Sequence, residues 1–536
     1  MAATRKPLLL VADDDPVERG VVLDELARRY GEDYAVEGCA IAELEATIEQ
    51  AQASGDDVAV CLAAGERGAE LLAGVRGRFP AARRGLLIPW LGWTDRALGG
   101  LIRRAMARGW IDLYVLRPTT TPDEVFHRTI SELLQESARL RGEGPAGAIV
   151  SADPRSRRAH ELQSTLAGLG IPHRVDAAEE DATPSVSLAN GITLVDPTPA
   201  ELALACGFPI ELEASDADLV VVGAGPAGLG AAVYAASEGL RTTVLDGGGV
   251  GGQAGSSSLI RNYLGFPRGL GGGELAQRAY QQAWLFGARS QVARRIVGLE
   301  SREDRFVCTA EGGAEVIARA VVLALGVEYR RLEAPGCIEL EGAGVYYGAS
   351  VSEAQAFANE DVYVVGGGNS AGQAALHLAR YARQVTILVR SSSLASSMSQ
   401  YLIDAIGNMP NVAVRYATEV AGAHGQDRLE QLVLLDTQLR EIETVDAAAL
   451  VVLIGAVPRT AWLPDEIARD GWGYIVTGAE PGARPLETSL AGVFAAGDVR
   501  AGSVQRVAAA VGDGALAVTG VHAYLAQVSS QWPAGS

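Results

Sequence analysis

Cysteine is scarce in this chain of 536 residues, and no two cysteines have the spacing of a CxxC motif. The five present are Cys39, Cys61, Cys206, Cys308 and Cys337. Thiol–disulfide exchange needs an attacking thiolate and a resolving partner. The sequence therefore argues against dithiol chemistry by a local cysteine pair. A few unpaired cysteines are also typical of the reducing cytoplasm, where we expect this protein to reside.

The chain also lacks a net positive charge and long apolar runs. The formal net charge is −20, which argues against nucleic-acid and anionic-membrane partners because these bind basic surfaces. No window approaches about 18 uninterrupted apolar residues, so no membrane-spanning helix is expected. The first residues also lack the apolar core of a signal peptide. The six histidines show no metal-ligand spacing, and we predict no metal site.

Two glycine-rich segments, each preceded by an apolar run, are the strongest positive signal. The first fingerprint is residues 218–228 (DLVVVGAGPAG) and the second fingerprint is residues 361–371 (DVYVVGGGNSA). Each is typical of a buried parallel strand, a tight turn and a helix start, where a pyrophosphate approaches the helix N-terminus. One such segment is weak evidence, but two indicate two dinucleotide sites. Asp246 ends the next apolar strand, near the roughly 20-residue offset of an acid that binds a ribose. The alternative is an acid that only ends a strand.

Three further segments indicate which class of dinucleotide-binding protein the chain resembles: Gly251–Gln253, Asn262–Pro267 and residues 487–498 (ETSLAGVFAAGD). Together with both fingerprints they resemble the low-molecular-weight thioredoxin reductases of the pyridine nucleotide-disulfide reductase superfamily, over roughly residues 216–530. The resemblance implies two Rossmann-like domains and a homodimer. The FAD-binding domain would comprise residues 216–335 and 464–530, with an NAD(P)H-binding domain, residues 336–463, inserted between them. Residues 324–326 and 453–455 would be the crossover strands that link the two domains.

The resemblance also assigns the cofactor-binding residues one by one. For FAD these are Gly223, Gly225, Pro226, Ala227 and Gly228 in the diphosphate loop, Asp246 at the ribose, Gly252, Gln253 and Asn262 beside the flavin ring, Asp498 at the ribityl chain, and Arg506 and Val507 at the pyrimidine edge. For the nicotinamide nucleotide they are Gly366, Gly368, Asn369, Ser370, Ala371 and Arg390.

The choice between NADPH and NADH depends on the strand that precedes Arg390. Arg390, followed by Ser391 and Ser392, can bind a 2′-phosphate through charge-assisted hydrogen bonds. No acid ends that strand to bind a free 2′-hydroxyl, as an NADH site would usually supply. The sequence favours NADPH and leaves NADH open. The alternative is a solvated arginine.

The chain departs from the family at the redox disulfide. Thioredoxin reductases carry CxxC after a Gly-Val-x-Tyr stretch, and this chain has Gly348 and Val351 at the two cysteine positions. Cys337 is interpreted as a lone core or surface thiol, with a substitute nucleophile as the alternative. The small Gly348 is expected to leave space beside the flavin for an acceptor.

Residues 1–140 resemble a response-regulator receiver, a doubly wound α/β domain. The acidic pair Asp13 and Asp14 is present, but Ala63 or Ala64 stands where receivers have the aspartate that accepts phosphate. Ile88 replaces the hydroxyl residue, and Arg117 replaces the lysine. We interpret the domain as a pseudo-receiver whose acids are structural.

Residues 146–208 resemble a glutaredoxin. The family's CPxC would fall on residues 153–156 (DPRS) and its cis-proline on Pro184, so both thiols are missing. Asn190-Gly191 between two short strands predicts a hairpin independently of any family. The whole chain thus resembles fused response-regulator/thioredoxin reductase-like proteins.

Two functional hypotheses follow from these observations. In the first, the protein is an FAD-dependent NAD(P)H oxidoreductase that passes electrons to a non-disulfide acceptor, such as an electron-transfer protein, a quinone-like molecule or oxygen. Its catalytic residues are not identified by any motif. In the second, it is a regulatory flavoprotein that senses nucleotide occupancy or flavin redox state.

Overall fold

The structure is a computed structural model of the chain. It describes residues 6–141, 143, 147–178, 182–208, 216–255, 257, 260, 262–266, 269–292, 294–348, 357–479 and 482–531. These residues form two compact units. The first unit contains the described residues of 1–145, 375–385 and 393–413, and the second contains those of 146–374, 386–392 and 414–536. Within the described residues, no helix is both long enough and apolar enough to cross a bilayer.

The N-terminal domain is a five-stranded parallel sheet covered by helices. Its elements are β1 Leu8–Ala12, α1 Pro16–Tyr30, β2 Ala35–Cys39, α2 Leu44–Ser54, β3 Val58–Ala64, α3 Gly65–Arg78, β4 Arg83–Ile88, α4 Arg96–Ala107, β5 Leu113–Leu116 and α5 Glu124–Leu140. The strand order β2-β1-β3-β4-β5 is the predicted doubly wound topology. Every residue of β1 and β3 is buried, because helices cover both faces of the sheet.

The second domain follows at residues 147–208. Its elements are β6 Ala148–Ala152, α6 Arg157–Gly168, β7 His173–Ala177, β8 Ser185–Leu188, β9 Thr193–Val195 and α7 Pro199–Ala205. The sheet order is β7-β6-β8-β9. β6 and β7 are parallel, whereas β8 runs antiparallel to both β6 and β9. The predicted hairpin at Asn190-Gly191 is confirmed, and Gly191 has a φ of +87°.

A third region begins with the first fingerprint. Its elements are β10 Asp216–Val222, α8 Pro226–Ser237, β11 Thr242–Leu245, α9 Gly252–Gly255, α10 Gly272–Leu285, β12 Arg289–Gln291, β13 Ile296–Arg302, β14 Arg305–Ala310, β15 Glu315–Leu323 and β16 Val327–Tyr329. The order β12-β11-β10-β15-β14-β13 joins a parallel part to an antiparallel hairpin. β10 lies between β11 and β15, both parallel to it.

The second fingerprint opens another α/β region. Its elements are β17 Val345–Tyr347, β18 Asp361–Val365, α11 Asn369–Leu378, β19 Gln384–Val389, α12 Gln400–Gly407, β20 Val412–Tyr416, β21 Thr418–His424, β22 Gln431–Asp436, β23 Glu441–Asp446 and β24 Ala449–Val452. The main sheet has the order β17-β24-β18-β19-β20, and β21, β22 and β23 form a separate antiparallel sheet.

The chain then returns to the first fingerprint's sheet. β25 Ala456–Pro458 pairs antiparallel with β16, β26 Val493–Ala495 pairs parallel with β15, and α13 Val507–Gln531 completes the chain. The crossover strands are therefore β16 and β25, and the prediction of residues 324–326 and 453–455 was three residues early. Those tripeptides are the turns before the strands, because Gly326 and Gly455 have φ values of +61° and +102°.

Candidate functional site

The first fingerprint forms a tight turn that excludes side chains. Gly223 follows β10 with a φ of +110°, and a Cβ there would lie 2.2 Å from the carbonyl oxygen of Ala324. A Cβ on Gly228, in the first turn of α8, would lie 1.8 Å from the carbonyl oxygen of Gly223. Both positions therefore require glycine. α8 begins at Pro226, with Gly225 as its N-cap, so its free N–H groups face the turn and suit an anionic diphosphate.

Asp246 holds this turn from the end of β11. Its carboxylate accepts hydrogen bonds from the backbone N–H groups of Ala224 at 2.7 Å, Gly248 at 2.7 Å and Gly249 at 2.9 Å. Oδ2 accepts only the bond from Ala224 among these three and keeps capacity for a hydroxyl. The carboxylate therefore fixes the glycine-rich loop and lies where the sequence predicted a ribose-binding acid.

The C-terminal segment brings Asp498 to the same turn. Asp498 lies in a short 3-10 helix, Gly497–Val499, that follows β26. Gly497 approaches the fingerprint so closely that a Cβ on it would lie 2.7 Å from Cβ of Ala227. Burial raises the pKa of Asp498, with a further contribution from Asp513, against a hydrogen bond from Ser503. A carboxylate in this setting gains from a hydroxyl that donates to it.

Small residues let α13 lie directly against α8. A Cβ on Gly514 would lie 2.2 Å from the carbonyl oxygen of Ala227, and a Cβ on Gly230 would lie 2.9 Å from that of Val511. This contact fixes the start of α13, where the predicted pyrimidine contacts Arg506 and Val507 lie. Arg506 is exposed and Val507 is half-buried.

The remaining predicted flavin contacts lie after β11. A Cβ on Gly252 would lie 3.1 Å from Cα of Gly225, which places α9 against the first fingerprint. The Gln253 side-chain amide donates to the carbonyl oxygen of Val327, in β16, at 2.5 Å. Asn262 is exposed in a turn. Gly252 and Gln253 are therefore brought to the fingerprint and to the crossover strand, and the position of Asn262 neither supports nor contradicts its assignment.

The second fingerprint repeats the geometry of the first. Gly366 follows β18 with a φ of +140°, and a Cβ there would lie 2.4 Å from the carbonyl oxygen of Leu453. Gly368 precedes α11, whose first residues are Asn369 and Ser370, while Ala371 is fully buried beneath the turn. Arg390 follows β19 directly and is exposed. Among the described residues it has no carboxylate partner, so its guanidinium is available to an anion.

An aromatic ring closes the space at Gly348, the residue that the family resemblance aligned with a cysteine. Gly348 has a φ of +95°, and a Cβ there would lie 2.3 Å from Cε2 of Tyr329, in β16. The prediction that this glycine leaves space for an acceptor is therefore wrong, because Tyr329 occupies the space. The other position, Val351, lies outside the described residues.

All five cysteines are free thiols. Cys337 is fully buried in the apolar core of the second fingerprint's region, and burial raises its pKa to about 11. Burial likewise raises the pKa of Cys308 to about 12 and of Cys61 further. A thiol of such high pKa is mostly protonated at neutral pH and a poor nucleophile. The interpretation of Cys337 as a core thiol is confirmed.

The N-terminal domain uses its acids internally. Asp13 is buried and its carboxylate pairs with Arg117 at 2.5 Å. Asp14 accepts from the backbone N–H of Ile41 at 2.9 Å, and Asp15 caps α1 through Val17 and Glu18. Ala63 lies at the end of β3, on the same edge of the sheet. A structural role for the acids is therefore observed. Among the described residues, no cluster of acids, histidines and cysteines could hold a metal.

In the second domain, Asp153 and Ser156 form local hydrogen bonds. These are the residues that the glutaredoxin resemblance aligned with the two cysteines. The Ser156 hydroxyl donates to the Asp153 carbonyl oxygen at 2.8 Å and accepts from the backbone N–H of Ala159 at 3.1 Å, so it is the N-cap of α6. The prediction of a cis-proline at Pro184 is wrong, because the cis peptide bond among the described residues precedes Pro122.

The N-terminus of α6 contacts the region of the second fingerprint. Arg155 pairs with Glu360 at 2.7 Å. Arg157 donates to the carbonyl oxygens of Glu341, Glu339 and Ile338, at 2.8, 3.1 and 3.2 Å. The ring of His160 lies 5.2 Å from that of Tyr346, two residues before Gly348.

The other end of α6 contacts the region of the first fingerprint. The carbonyl oxygen of Gly168 accepts from the backbone N–H of Val250 at 2.6 Å. Apolar side chains of α6 share a core with Leu229, Val250 and Ala276. This one helix therefore touches both dinucleotide-binding regions.

The sequence did not predict three contacts described above: the ring of Tyr329 against Gly348, the Asp13–Arg117 pair, and the hydrogen bonds of Arg157. No local motif marks any of them, since each joins residues far apart in sequence. Only the Arg117 substitution, in a position where receivers have lysine, was visible beforehand.

Comparison with known proteins agrees with this geometry. Residues 217–514 match the family model of the pyridine nucleotide-disulphide oxidoreductases. The chain belongs to this family of oxidoreductases. It is 36% identical to a thioredoxin reductase of Treponema pallidum (strain Nichols) over 58% of this chain and 98% of that protein. It is 32% identical, over the same shares, to the "34.2 kDa protein in rubredoxin operon" of Clostridium pasteurianum.

Solved structures point the same way. The crystal structure of Lactococcus lactis thioredoxin reductase (FR conformation) matches with a TM-score of 0.54 and 27% identity, over 58% of this chain and 100% of that one. That of T. acidophilum thioredoxin reductase matches with a TM-score of 0.54 and 28% identity, over 59% and 99%. The C-terminal part of the chain is therefore a pair of Rossmann-like domains of the thioredoxin reductase type.

Proposed function

We propose that this protein is an FAD-dependent oxidoreductase that takes electrons from NADPH and passes them to an acceptor other than a disulfide. Family membership supports the oxidoreductase class, and proteins of the thioredoxin reductase family use FAD and NADPH. The acceptor is where this chain differs from the relatives that are named for thioredoxin.

The residues around the first fingerprint fit FAD. Gly223 and Gly228 allow the tight turn that exposes the N-terminus of α8 to a diphosphate, because a Cβ at either position would clash with a backbone carbonyl oxygen. Asp246 and Asp498 offer carboxylate oxygens to ribose and ribityl hydroxyls. Gln253 is held against the crossover strand, beside the expected place of the flavin ring. When bound, FAD supplies two-electron exchange with nicotinamide and one- or two-electron exchange with the acceptor.

The second fingerprint fits a nicotinamide dinucleotide. Gly366 allows the tight turn after β18, and the N-terminus of α11 that follows this turn can donate its free N–H groups to a diphosphate. Arg390 is exposed and has no carboxylate partner among the described residues, which suits a 2′-phosphate. NADPH is therefore the preferred donor in this proposal.

Gly348 is the observation that carries the choice of acceptor. A side chain at this position would need a strained positive φ and would meet the ring of Tyr329. The position therefore resists a cysteine sterically, beyond merely lacking one. The described thiols are unpaired and buried or half-buried, so none provides a substitute relay. Oxygen, quinones and one-electron carriers need no thiol carrier, and we propose an acceptor of this kind.

Spectroscopy and anaerobic reduction test the donor half of the proposal. The purified protein should contain about one FAD per chain, and NADPH should bleach the flavin absorbance faster than NADH. A protein without flavin, or one that is reduced by neither nucleotide, would contradict the proposal. A panel of quinones, ferricyanide and oxygen then identifies the class of acceptor by steady-state NADPH oxidation.

The contacts of α6 favour a second candidate, a regulatory flavoprotein. α6 touches both dinucleotide-binding regions, through Arg157 at one end and Gly168 at the other. A change in either region could therefore be transmitted to the second domain. Tight nucleotide binding with negligible turnover on every acceptor would support this function over the enzyme.

A further inference from the structure

Four arginines of the first compact unit lie close enough to interact electrostatically with one acid or with one another. Arg76 lies in the last turn of α3, Arg83 and Arg84 open β4, and Arg380 follows α11. The acid among them is Asp112, which precedes β5. We call these five residues the arginine cluster.

The Asp112 carboxylate forms ion pairs with two of the four arginines. Its carboxylate accepts from Nε of Arg84 at 3.2 Å, from Nη2 of Arg84 at 3.0 Å and from the Arg84 backbone N–H at 2.8 Å. Arg83 lies 3.4 Å from the same carboxylate. Burial opposes ionisation of Asp112, but Arg83 and Arg84 outweigh it and hold its pKa below the usual range. One negative charge therefore serves the whole cluster.

Two buried donors of the cluster have no hydrogen-bond partner among the described residues. Nη2 of Arg76 and Nε of Arg83 are buried without a hydrogen bond. Within the described residues, neither Arg76 nor Arg380 pairs with a carboxylate. Burial lowers the pKa of Arg76 to about 10, with Arg380 and Arg84 adding to the effect. A buried donor without a partner and a buried charge without a counterion are both costly.

This charge imbalance stands out because the chain as a whole has a net charge of −20. Carboxylates are abundant elsewhere, and the cluster still contains four guanidinium groups and one carboxylate. A bound anion would supply the missing negative charge and accept the free N–H groups at once.

We propose that the arginine cluster is a binding site for a phosphate-bearing anion. Guanidinium groups present planar pairs of N–H donors that match the oxygens of phosphate. A tetrahedral oxyanion with more than one negative charge can accept from several arginines that approach from different sides. Inorganic phosphate and the phosphates of a free nucleotide share this chemistry.

The cluster is separate from the residues assigned to the dinucleotides. Both fingerprints and Arg390 belong to the second compact unit, and the cluster belongs to the first.

Thermal melting of the full-length protein tests this proposal. Phosphate is compared with chloride at equal ionic strength, and ATP is compared with phosphate to distinguish the two sources. The test variants are Arg76→Gln and Arg380→Gln. The control is Arg104→Gln, since Arg104 is an exposed arginine that pairs with Glu66 at 2.8 Å.

We expect phosphate or ATP to raise the melting temperature of the wild type by about 2 °C or more. Each test variant should bind the anion about tenfold more weakly, whereas the control should bind it like the wild type. In chloride, the test variants should melt no lower than the wild type, because each loses a half-buried charge that has no carboxylate partner among the described residues. Arg83→Lys keeps the positive charge but removes the planar pair of guanidinium N–H donors, so it should also weaken binding of the anion. No anion-specific shift in the wild type, or a shift in both test variants as large as that in the wild type, would overturn the site.

Discussion

Gly348→Ala tests whether this position can accept a side chain. The substitution adds one Cβ, which meets the Tyr329 ring at 2.3 Å in a backbone conformation with a φ of +95°. A left-handed conformation costs a non-glycine residue about 1–2 kcal/mol, and displacing a packed group costs about 1–3 kcal/mol. The free energy of unfolding should therefore fall by about 2–5 kcal/mol.

A double-mutant cycle with Tyr329→Ala separates the two costs. In the Tyr329→Ala background, Gly348→Ala should lower the free energy of unfolding by only the backbone cost of about 1–2 kcal/mol, because the clashing ring is absent. The measurement is urea denaturation of all four proteins, followed by fluorescence and by flavin absorbance. If Gly348→Ala costs the same in both backgrounds, the ring does not close the position and the argument for a non-disulfide acceptor weakens.

Three further predictions concern other sites. Arg390→Ala should weaken NADPH binding about tenfold, roughly 1.4 kcal/mol, and leave NADH binding nearly unchanged; equal losses in titrations with both nucleotides would remove Arg390 from the 2′-phosphate site. Acetyl phosphate should leave the N-terminal domain unmodified, because Ala63 offers no carboxylate, and an added phosphoryl group in mass spectrometry would contradict the pseudo-receiver interpretation. Arg157→Ala should weaken the contact between α6 and residues 338–341 by about 1–2 kcal/mol, and amide exchange in residues 338–341 should become faster. The adjacent Arg158→Ala should leave that exchange unchanged, because the partners of Arg158 lie within the second domain.

Local patterns in the sequence predicted the strands, the glycine turns and the acids near them. Gly223 and Gly366 were recognised because a tight turn after a buried strand leaves a fixed spacing of glycines. The α/β class of the N-terminal domain followed from alternating strand and helix patterns. Such features depend on neighbours in sequence, so one sequence is enough to find them.

Long-range packing could not be predicted in the same way. The ring of Tyr329 meets Gly348 only because the crossover strand β16 passes beside the end of β17. The crossover strands themselves were misplaced by three residues, since Gly326 and Gly455 turn the chain before each strand begins. No spacing rule ties these residues together, and only the folded chain shows their contact.

The central claim is that the electron acceptor is not a disulfide, and steady-state NADPH oxidation tests this claim most directly. Turnover with thioredoxin is compared with turnover with ferricyanide at matched flavin content, and the Treponema pallidum relative named thioredoxin reductase serves as the control. We predict that ferricyanide turnover exceeds thioredoxin turnover by at least about tenfold, a difference of roughly 1.4 kcal/mol in activation free energy. Thioredoxin turnover equal to that of the control, and unchanged by Cys337→Ser, would contradict the account.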